Sequence, residues 1–349
     1  MAITKVRASG INLSGNTTFL ALPKGTTAQR PSSPVSGMIR ENTTLNKIEV
    51  YNGTEWRALK ENVPNIEYLV LAGGGGGGGW GGGGGAGGLL TSSFVPVSGT
   101  IYTVAVGFGG TAGYYSSAYY AGGQGYDSSI SGSGLTTITA SGGGAGGGYS
   151  TGNGETGGTG GSGGGASGAN PGSSGQSGGV ATPAGQGNNG GTTAPTASYY
   201  PGGGGGGGAG AAGSNGNGNQ GGVGGIGLQS NITGNNKYYA GGGGGCSARS
   251  DTVSAGGNGG GGAGSRYQTA AGSVPEIAAI SGTNGLGGGG GGGSYPTNAG
   301  TGGAGTVIIK LPTSFTITPT GSPTLNPDGA VYGKYIYEFG TGGGTFTIS

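Results

Sequence analysis

The sequence predicts a mainly β fold with essentially no α-helix: an N-terminal β meander, a glycine-rich β-sandwich or polyglycine II helix bundle, and C-terminal strands. Three observations support this prediction. Glycine supplies 103 of the 349 residues, and it stands in runs such as "AGGGGGGGWGGGGGAGG" at 72–88. Short apolar segments with strand character adjoin the outer runs. Most of the charged residues lie outside the glycine-rich middle, which therefore forms one compositional unit.

These composition changes divide the chain into three predicted regions. Residues 1–62 form an N-terminal β region for attachment and oligomerisation. Residues 63–311 form the glycine-rich β and polyglycine II body with its Tyr-rich loops, and residues 312–349 form a C-terminal β segment that ends the fold.

The N-terminal region predicts a small meander over residues 38–59. Asn52-Gly53 separates "KIEVY" from "TEWRAL" and is a strong hairpin signal, because both positions tolerate positive φ. Such a meander is too small to bury a core of its own. We therefore expect it to pack against copies of itself, most simply as a homotrimer, or against another protein.

The outer glycine runs are joined directly to apolar strands, which a flexible linker would not require. "IEYLVLA" (66–72) enters the first run, "GTIYTVAVGFGG" (99–110) enters another and "LTTITASGGGAGGG" (135–148) a third. "GGAGTVIIKLP" (302–312) leaves the last run. The runs are therefore expected to continue the strands.

Three structures compete for the runs themselves. Collagen is excluded, because runs of seven glycines break the Gly-X-Y period and the chain has only 15 prolines. A disordered linker remains an alternative, since ordering glycine is entropically costly. The third is a bundle of threefold polyglycine II helices that hydrogen-bond to one another, with Trp80 capping a strand end and donating its indole N–H.

The available side chains favour a protein that is not an enzyme. With no histidine, every His-based triad, metal site and acid–base scheme is excluded. The carboxylates of the middle region, Asp127, Glu155, Asp251 and Glu276, are isolated in sequence, and the lone Cys246 is expected to be an inert buried thiol. We predict no catalytic residue, no metal and no cofactor.

Charge and hydropathy also limit the partners. The net charge is +2 and the charges are scattered, so a nucleic-acid partner is not expected. No segment approaches the roughly 20 apolar residues that a membrane helix needs, and the N-terminus lacks the apolar core of a signal peptide. We expect no membrane insertion, and release of the protein by lysis.

Pairs of tyrosines interrupt the glycine-rich middle. Tyrosine combines an apolar ring with a polar tip, so it suits both the sealing of a strand end and contact with another molecule. Both interpretations stay open. The candidate receptor-binding residues are Tyr114, Tyr115, Tyr119, Tyr120, Tyr199, Tyr200, Tyr238 and Tyr239.

The segments "EYLVLAGGGGGGGWGGGGGAGG", "YTVAVGFGG" and "GGAGTVIIK" resemble the strand-plus-glycine blocks of glycine-rich bacteriophage tail-fibre proteins, including the distal adhesins of T-even-type phages. "ALPKGTTAQRPSSPVSGMIRENTTLNKIEVYNGTEW" (21–56) is similar to a module near the N-termini of phage virion proteins. The dedicated adhesins lack such a module, so the chain is either a tip subunit or a complete short fibre.

The resemblance implies a tail-fibre protein of the virion, extracellular after host lysis, that binds a host surface glycan or an outer-membrane protein. It also implies attachment to other tail proteins through the N-terminal region. The alternatives are a purely structural or decoration protein of the virion, and a glycine-rich bacterial surface or ice-binding protein.

Overall fold

The computed structural model describes residues 22–59, 64–116, 120–150, 153–168, 174–195, 201–248, 250, 252–267, 275–326 and 333–349. These residues divide into two compact units, one within the first 63 residues and one over Pro64–Ser349. The predicted boundary after residue 62 lies one residue from this division. In the described ranges the helical structure is one 3-10 turn, Thr27–Gln29, and no helix there could span a membrane. The mainly β prediction is confirmed.

The first unit is a four-stranded sheet. Its strands are β1 (Lys24–Gly25), β2 (Ile39–Asn42), β3 (Lys47–Tyr51) and β4 (Trp56–Ala58). The predicted meander is present as antiparallel β2-β3-β4, and β1 adds to it in parallel with β2. The hairpin at Asn52-Gly53 is also present, but of these two residues only Gly53 has positive φ (102°). Asn52 instead accepts hydrogen bonds from the N–H groups of Thr54 and Glu55 through its side chain, which makes the turn longer than two residues.

This small sheet buries charged and polar side chains on one face, where a sheet usually buries apolar ones. Glu49 and Asn42 are fully buried, and Arg40 is nearly so. Glu49 accepts hydrogen bonds from Arg30 Nη2 at 2.6 Å and from Asn42 Nδ2 at 3.0 Å. The hydrogen bond from Arg30, opposed by burial, lowers the pKa of the Glu49 carboxyl. A charge network thus takes the place of an apolar core.

The second unit contains two five-stranded antiparallel sheets and short two-stranded ribbons. Its strands are β5 (Ile66–Leu71), β6 (Leu89–Phe94), β7 (Ile101–Ala105), β8 (Ser128–Gly132), β9 (Leu135–Ala140), β10 (Tyr149–Ser150), β11 (Asn153–Gly154), β12 (Leu228–Ser230), β13 (Lys237–Tyr239), β14 (Ser247–Ala248), β15 (Arg266–Tyr267), β16 (Thr306–Pro312), β17 (Ile317–Pro319), β18 (Thr324–Asn326), β19 (Lys334–Phe339) and β20 (Gly344–Ile348). The strand order is β18-β19-β16-β5-β6 in one large sheet and β17-β20-β7-β8-β9 in the other.

The two sheets pack face to face over an apolar core. Val70 and Ile309 from the first sheet meet Tyr102, Val104 and Ile130 from the second, and all five are buried. Every second residue of β5 and of β7 points into this core, because successive side chains point to opposite faces of a strand. The predicted strands at 66–72, 99–110, 135–148 and 302–312 all contribute to these sheets.

The C-terminal β segment, residues 312–349, belongs to the same compact unit as the glycine-rich body. β19 pairs with β16 and β20 pairs with β7, so the C-terminal strands lie within both sheets. Phe339 and Phe346 are fully buried in the shared core. The predicted boundary between residues 311 and 312 also falls inside β16. Pairing between strands that are distant in the sequence joins this segment to the body.

The glycine runs continue from the strands as a polyglycine II block. In the run at 73–79, every third N–H donates to the same neighbouring segment. Gly73, Gly76 and Gly79 donate to residues 120–126, Gly74 and Gly77 to residues 300–303, and Gly75 and Gly78 to residues 82–85, all at 2.8–3.0 Å. No glycine of this run has positive φ. A three-residue period at negative φ is that of a left-handed threefold helix.

Close backbone approach explains why this region must be glycine. A Cβ placed on any residue from Gly73 to Gly78 would lie 1.8–2.2 Å from a carbonyl oxygen of a neighbouring run. Each run is therefore surrounded by others at distances that exclude side chains. The ordered alternative for the described runs is confirmed, and the disordered linker is excluded for them.

Candidate functional site

The glycine block has two different ends. The run at 73–79 begins after Leu71, at the end of β5, and finishes at Trp80. Seven residues at about 3.1 Å each span about 22 Å. We call the end next to the sandwich the sheet end and the end at Trp80 the loop end.

Trp80 lies where the chain reverses between two antiparallel runs. Its φ is +48°, and the N–H of Gly78 donates to Gly82 O across the reversal. The Trp80 side chain is half-buried and its ring centroid is 5.5 Å from that of Tyr267. The prediction that Trp80 lies at a strand end is confirmed. The hydrogen bond predicted for its indole N–H stays a prediction.

Further aromatic rings lie at the loop end, and the first of them, Tyr267, contacts Trp80. The ring centroid of Tyr267 is 6.5 Å from that of Tyr295, which is 5.8 Å from that of Tyr115. The neighbouring Tyr114 stacks on Tyr120, with centroids 4.9 Å apart. We call these six residues the aromatic patch: Trp80, Tyr114, Tyr115, Tyr120, Tyr267 and Tyr295.

Local backbone contacts fix the rings of the patch. The N–H of Tyr120 donates to Tyr114 O at 3.0 Å, which brings the two stacked rings together. Next to Tyr295, the buried hydroxyl of Ser294 accepts a hydrogen bond from Ser265 Oγ at 2.8 Å. Tyr267 ends β15, which pairs with β14. The rings are therefore presented by anchored backbone.

Much of the patch faces outward. Four of its tyrosines are 44–50% exposed, namely Tyr114, Tyr115, Tyr120 and Tyr295. Exposed aromatic residues that adjoin one another, with no charged side chain among them, form a surface suited to stacking on another molecule. The patch thus combines a half-buried side at Trp80 and Tyr267 with an exposed side.

The predicted tyrosines do not all gather at one end. Tyr114, Tyr115 and Tyr120 lie together at the loop end, whereas Tyr119, Tyr199 and Tyr200 lie outside the described residues. Tyr238 is 40% exposed and Tyr239 is fully buried. Both belong to β13, and Tyr239 packs with Leu71 at the sheet end.

Tyr239 is therefore removed from the candidate contact residues. Its ring lies in a second apolar cluster, which covers the outer face of β5 and β16. Burial is the main cause that raises the pKa of its hydroxyl. In sequence the doublet 238–239 resembles the others, but the strand period turns one ring outward and the other inward.

Tyr267 and Tyr295 were missed by the sequence prediction, which considered only tyrosine doublets. Both are single tyrosines that lie close after a glycine-rich segment, at "GAGSRY" and "GGGSY". A tyrosine at that position lies at the end of a glycine run, and this position is the sequence feature that could have identified both residues as members of the patch. The contacts of Tyr295 with Tyr115 and with Tyr267 depend on the packing of three separate loops.

The carboxylates Asp127 and Glu155 do not converge on one point. Asp127 Oδ1 accepts a hydrogen bond from the N–H of Gly142, and Glu155 Oε2 accepts one from the N–H of Gly148. These two glycines lie at opposite ends of one run, about 19 Å apart at 3.1 Å per residue. Among the described residues, no group of three or more carboxylates and cysteines could hold a metal ion.

Comparison with known proteins identifies the glycine-rich part of the chain. No curated protein matches the sequence. A family model described as a glycine-rich domain matches residues 51–312, which is more than half of the chain and includes the whole polyglycine block. The chain therefore belongs to the glycine-rich domain family.

Proposed function

We propose that this protein is a bacteriophage tail-fibre component that binds a host cell-surface glycan or outer-membrane protein through the aromatic patch. The observation that carries the proposal is the set of exposed tyrosines in ring contact at the loop end of a block made mostly of glycine. A scaffold of backbone alone offers little chemical identity to a partner. Recognition must then come from the side chains at its ends.

The chemistry of the patch fits a surface receptor. Tyrosine rings stack on the faces of sugar rings or on apolar side chains, and their hydroxyls add directional hydrogen bonds. Because Tyr114 and Tyr120 are already stacked, little side-chain freedom is lost on binding. We propose that the protein acts by attachment alone, without a chemical step, and that it is not an enzyme.

The N-terminal unit supports a role in assembly. Ile39, Ile48 and Leu59 are 43–48% exposed on one face of its sheet, opposite the buried charge network. Ile39 faces Val50 across the strand pair, and the N–H of Leu59 donates to Ile48 O, which places these apolar residues side by side. We propose that other copies of the chain cover this face in a homotrimer, which also attaches to other virion proteins.

The test replaces the exposed rings of the patch. The triple variant Tyr114→Ser, Tyr115→Ser and Tyr120→Ser is labelled with a fluorophore, and its binding to a panel of bacterial strains is compared with that of the parent. We expect at least tenfold weaker binding to every strain that the parent binds. Tyr126→Ser is the matched control, because Tyr126 is exposed and lies at the sheet end, where its carbonyl oxygen accepts a hydrogen bond from the N–H of Gly73.

Two results would contradict the proposal. If the folded triple variant binds as well as the parent, the rings seal the block and the contact surface lies elsewhere. If the parent binds no strain of the panel while it assembles normally, the structural or decoration alternative is favoured. Thermal unfolding of each variant separates loss of binding from loss of folding.

A further inference from the structure

A cleft of about 530 Å³ lies at the sheet end, away from the aromatic patch. One side is the outer face of β5 and β6, and the other is the β12–β13 hairpin with its connecting loop. Volumes of 300–1,000 Å³ are typical of small-molecule sites. No local pattern in the sequence indicates this cleft, because its two sides are distant in the chain.

Uncharged hydrogen-bonding groups dominate the lining. Thr91 and Ser93 belong to β6, where pairing with Leu69 and Glu67 places them on the outer face of the sheet. Asn231 and Asn236 line the opposite side. Hydroxyl and amide groups both donate and accept hydrogen bonds, as the hydroxyls of a sugar do.

The cleft also has an apolar side. Leu228 is 47% exposed, whereas Leu89 and Ile232 are nearly buried and border the cleft from the second apolar cluster. A sugar ring presents C–H groups on its faces and hydroxyls at its edge. A polar lining interrupted by leucine and isoleucine matches both parts of such a ring.

A single carboxylate lies in the lining, between two lysines. Glu67 forms an ion pair with Lys310 at 3.3 Å and accepts a hydrogen bond from Lys334. Burial opposes ionisation of Glu67, but the hydrogen bond and the two positive charges outweigh it and lower its pKa. The carboxylate therefore remains an acceptor at neutral pH, and its charge is already balanced.

The wall of the cleft is preformed. The hairpin pairs Leu228 with Tyr239 and Ser230 with Lys237, and its loop is closed by a hydrogen bond from the N–H of Gly234 to Asn231 O at 2.9 Å. Tyr239 and Ile232 fix it to the sheet. A rigid wall reduces the entropy lost on binding a small ligand.

We propose that this cleft binds a saccharide through its hydroxyl groups. The site is separate from the aromatic patch and does not depend on the function proposed for it. The ligand is either a free sugar or a residue of a surface polysaccharide, since both present the same hydroxyls. The two lysines beside the cleft, Lys310 and Lys334, are already paired with Glu67, which disfavours a phosphorylated ligand.

The experiment is saturation-transfer NMR with the full chain and a panel of neutral sugars, namely glucose, galactose, N-acetylglucosamine and lactose. We expect saturable binding of at least one sugar. The double variant Thr91→Val and Asn236→Leu replaces two exposed cleft residues and should weaken that binding at least tenfold. Thr252→Val, at an exposed position of the loop end, is the matched control and should bind as the parent does.

The outcomes are decisive and differ from those for the aromatic patch. The proposal is overturned if no sugar of the panel binds, or if the double variant binds as the parent does while its thermal unfolding is unchanged. If the patch variant at Tyr114, Tyr115 and Tyr120 abolishes sugar binding and the cleft variant does not, the sugar site is the patch. A glycan array then distinguishes free sugars from polysaccharides as the ligand.

Discussion

Gly84 lies so close to Gly75 that a Cβ added to Gly84 would stand 2.0 Å from the carbonyl oxygen of Gly75. The two residues belong to neighbouring antiparallel runs, where the N–H of Gly75 donates to Gly85 O. Nothing at this contact is a flexible side chain that could move aside. Even one methyl group must therefore separate two hydrogen-bonded backbones.

We predict that Gly84→Ala lowers the free energy of unfolding by at least about 3 kcal/mol or prevents soluble expression, since overpacking a close-packed interior costs about 1–3 kcal/mol or more. Gly340→Ala is the control, because a Cβ there meets no atom within 4 Å and Gly340 lacks positive φ. Urea unfolding followed by circular dichroism measures both. Equal stability of the two variants would contradict the packing of the block.

The buried carboxylate of the N-terminal unit predicts a loss of stability in acid. Glu49 has a folded pKa below its unfolded value near 4.5, because Arg30 donates a hydrogen bond to it. The stabilisation that ionised Glu49 gives the folded unit is therefore fully present above about pH 4.5. It is lost as the pH falls through the lowered pKa of the folded state. The free energy of unfolding of this unit should decrease over that interval.

Trp56 reports on this transition, because its ring lies 5.9 Å from the guanidinium of Arg40. We expect its fluorescence, measured in a Trp80→Phe background, to show unfolding in urea at lower concentration as the pH falls below 4.5. Glu49→Gln should be less stable at pH 7 and should lose this part of the pH dependence. Identical pH profiles of the parent and Glu49→Gln would show that Glu49 is not the titrating group.

The single cysteine provides a probe of the glycine block. Cys246 is fully buried, its N–H donates to Gly81 O at 3.0 Å, and burial raises the pKa of its thiol to about 12. Thiol reagents attack the thiolate. We predict that iodoacetamide at pH 8 labels Cys246 at least about a thousandfold more slowly in the folded protein than in urea, on the thiolate fractions alone. Mass spectrometry measures the rates, and similar rates would mean that the block opens readily.

The exposed apolar face of the N-terminal unit predicts the assembly state. Ile39→Lys with Ile48→Lys should convert an oligomer to monomers, because two charges would be buried in the interface. Thr54→Lys, in the exposed turn between β3 and β4, is the control. Light scattering after size-exclusion chromatography measures the mass. A monomeric parent, or a trimer that persists in the double variant, would contradict assembly through this face.

The features that the sequence predicts well are those that its local pattern determines. Short apolar segments next to glycine identify β5, β7, β9 and β16, and glycine runs identify the segments that must approach one another without side chains. The hairpin at Asn52-Gly53 is likewise a local signal. In each case the residues that specify the structure lie within a few positions of one another.

The features that the sequence does not predict depend on distant contacts. The pairing of β19 with β16 includes the C-terminal segment in the sandwich, although its composition differs from that of the body. Tyr239 and Tyr114 each stand in a doublet, yet Tyr239 packs in a core and Tyr114 is exposed. Whether a loop emerges at the loop end or the sheet end follows from the direction of its run within the block.

The three-residue period of the hydrogen bonds in the runs has a consequence for insertions. Moving a polyglycine II helix by one residue turns it by 120° and advances it by about 3.1 Å, which restores the same helix in the same surroundings. A β-strand moved by one residue instead exchanges its two faces. The runs therefore carry no register of their own, and strands such as β5 and β16 must supply it. One glycine added within a run would leave the lattice intact and shift the attached loop outward by a single step.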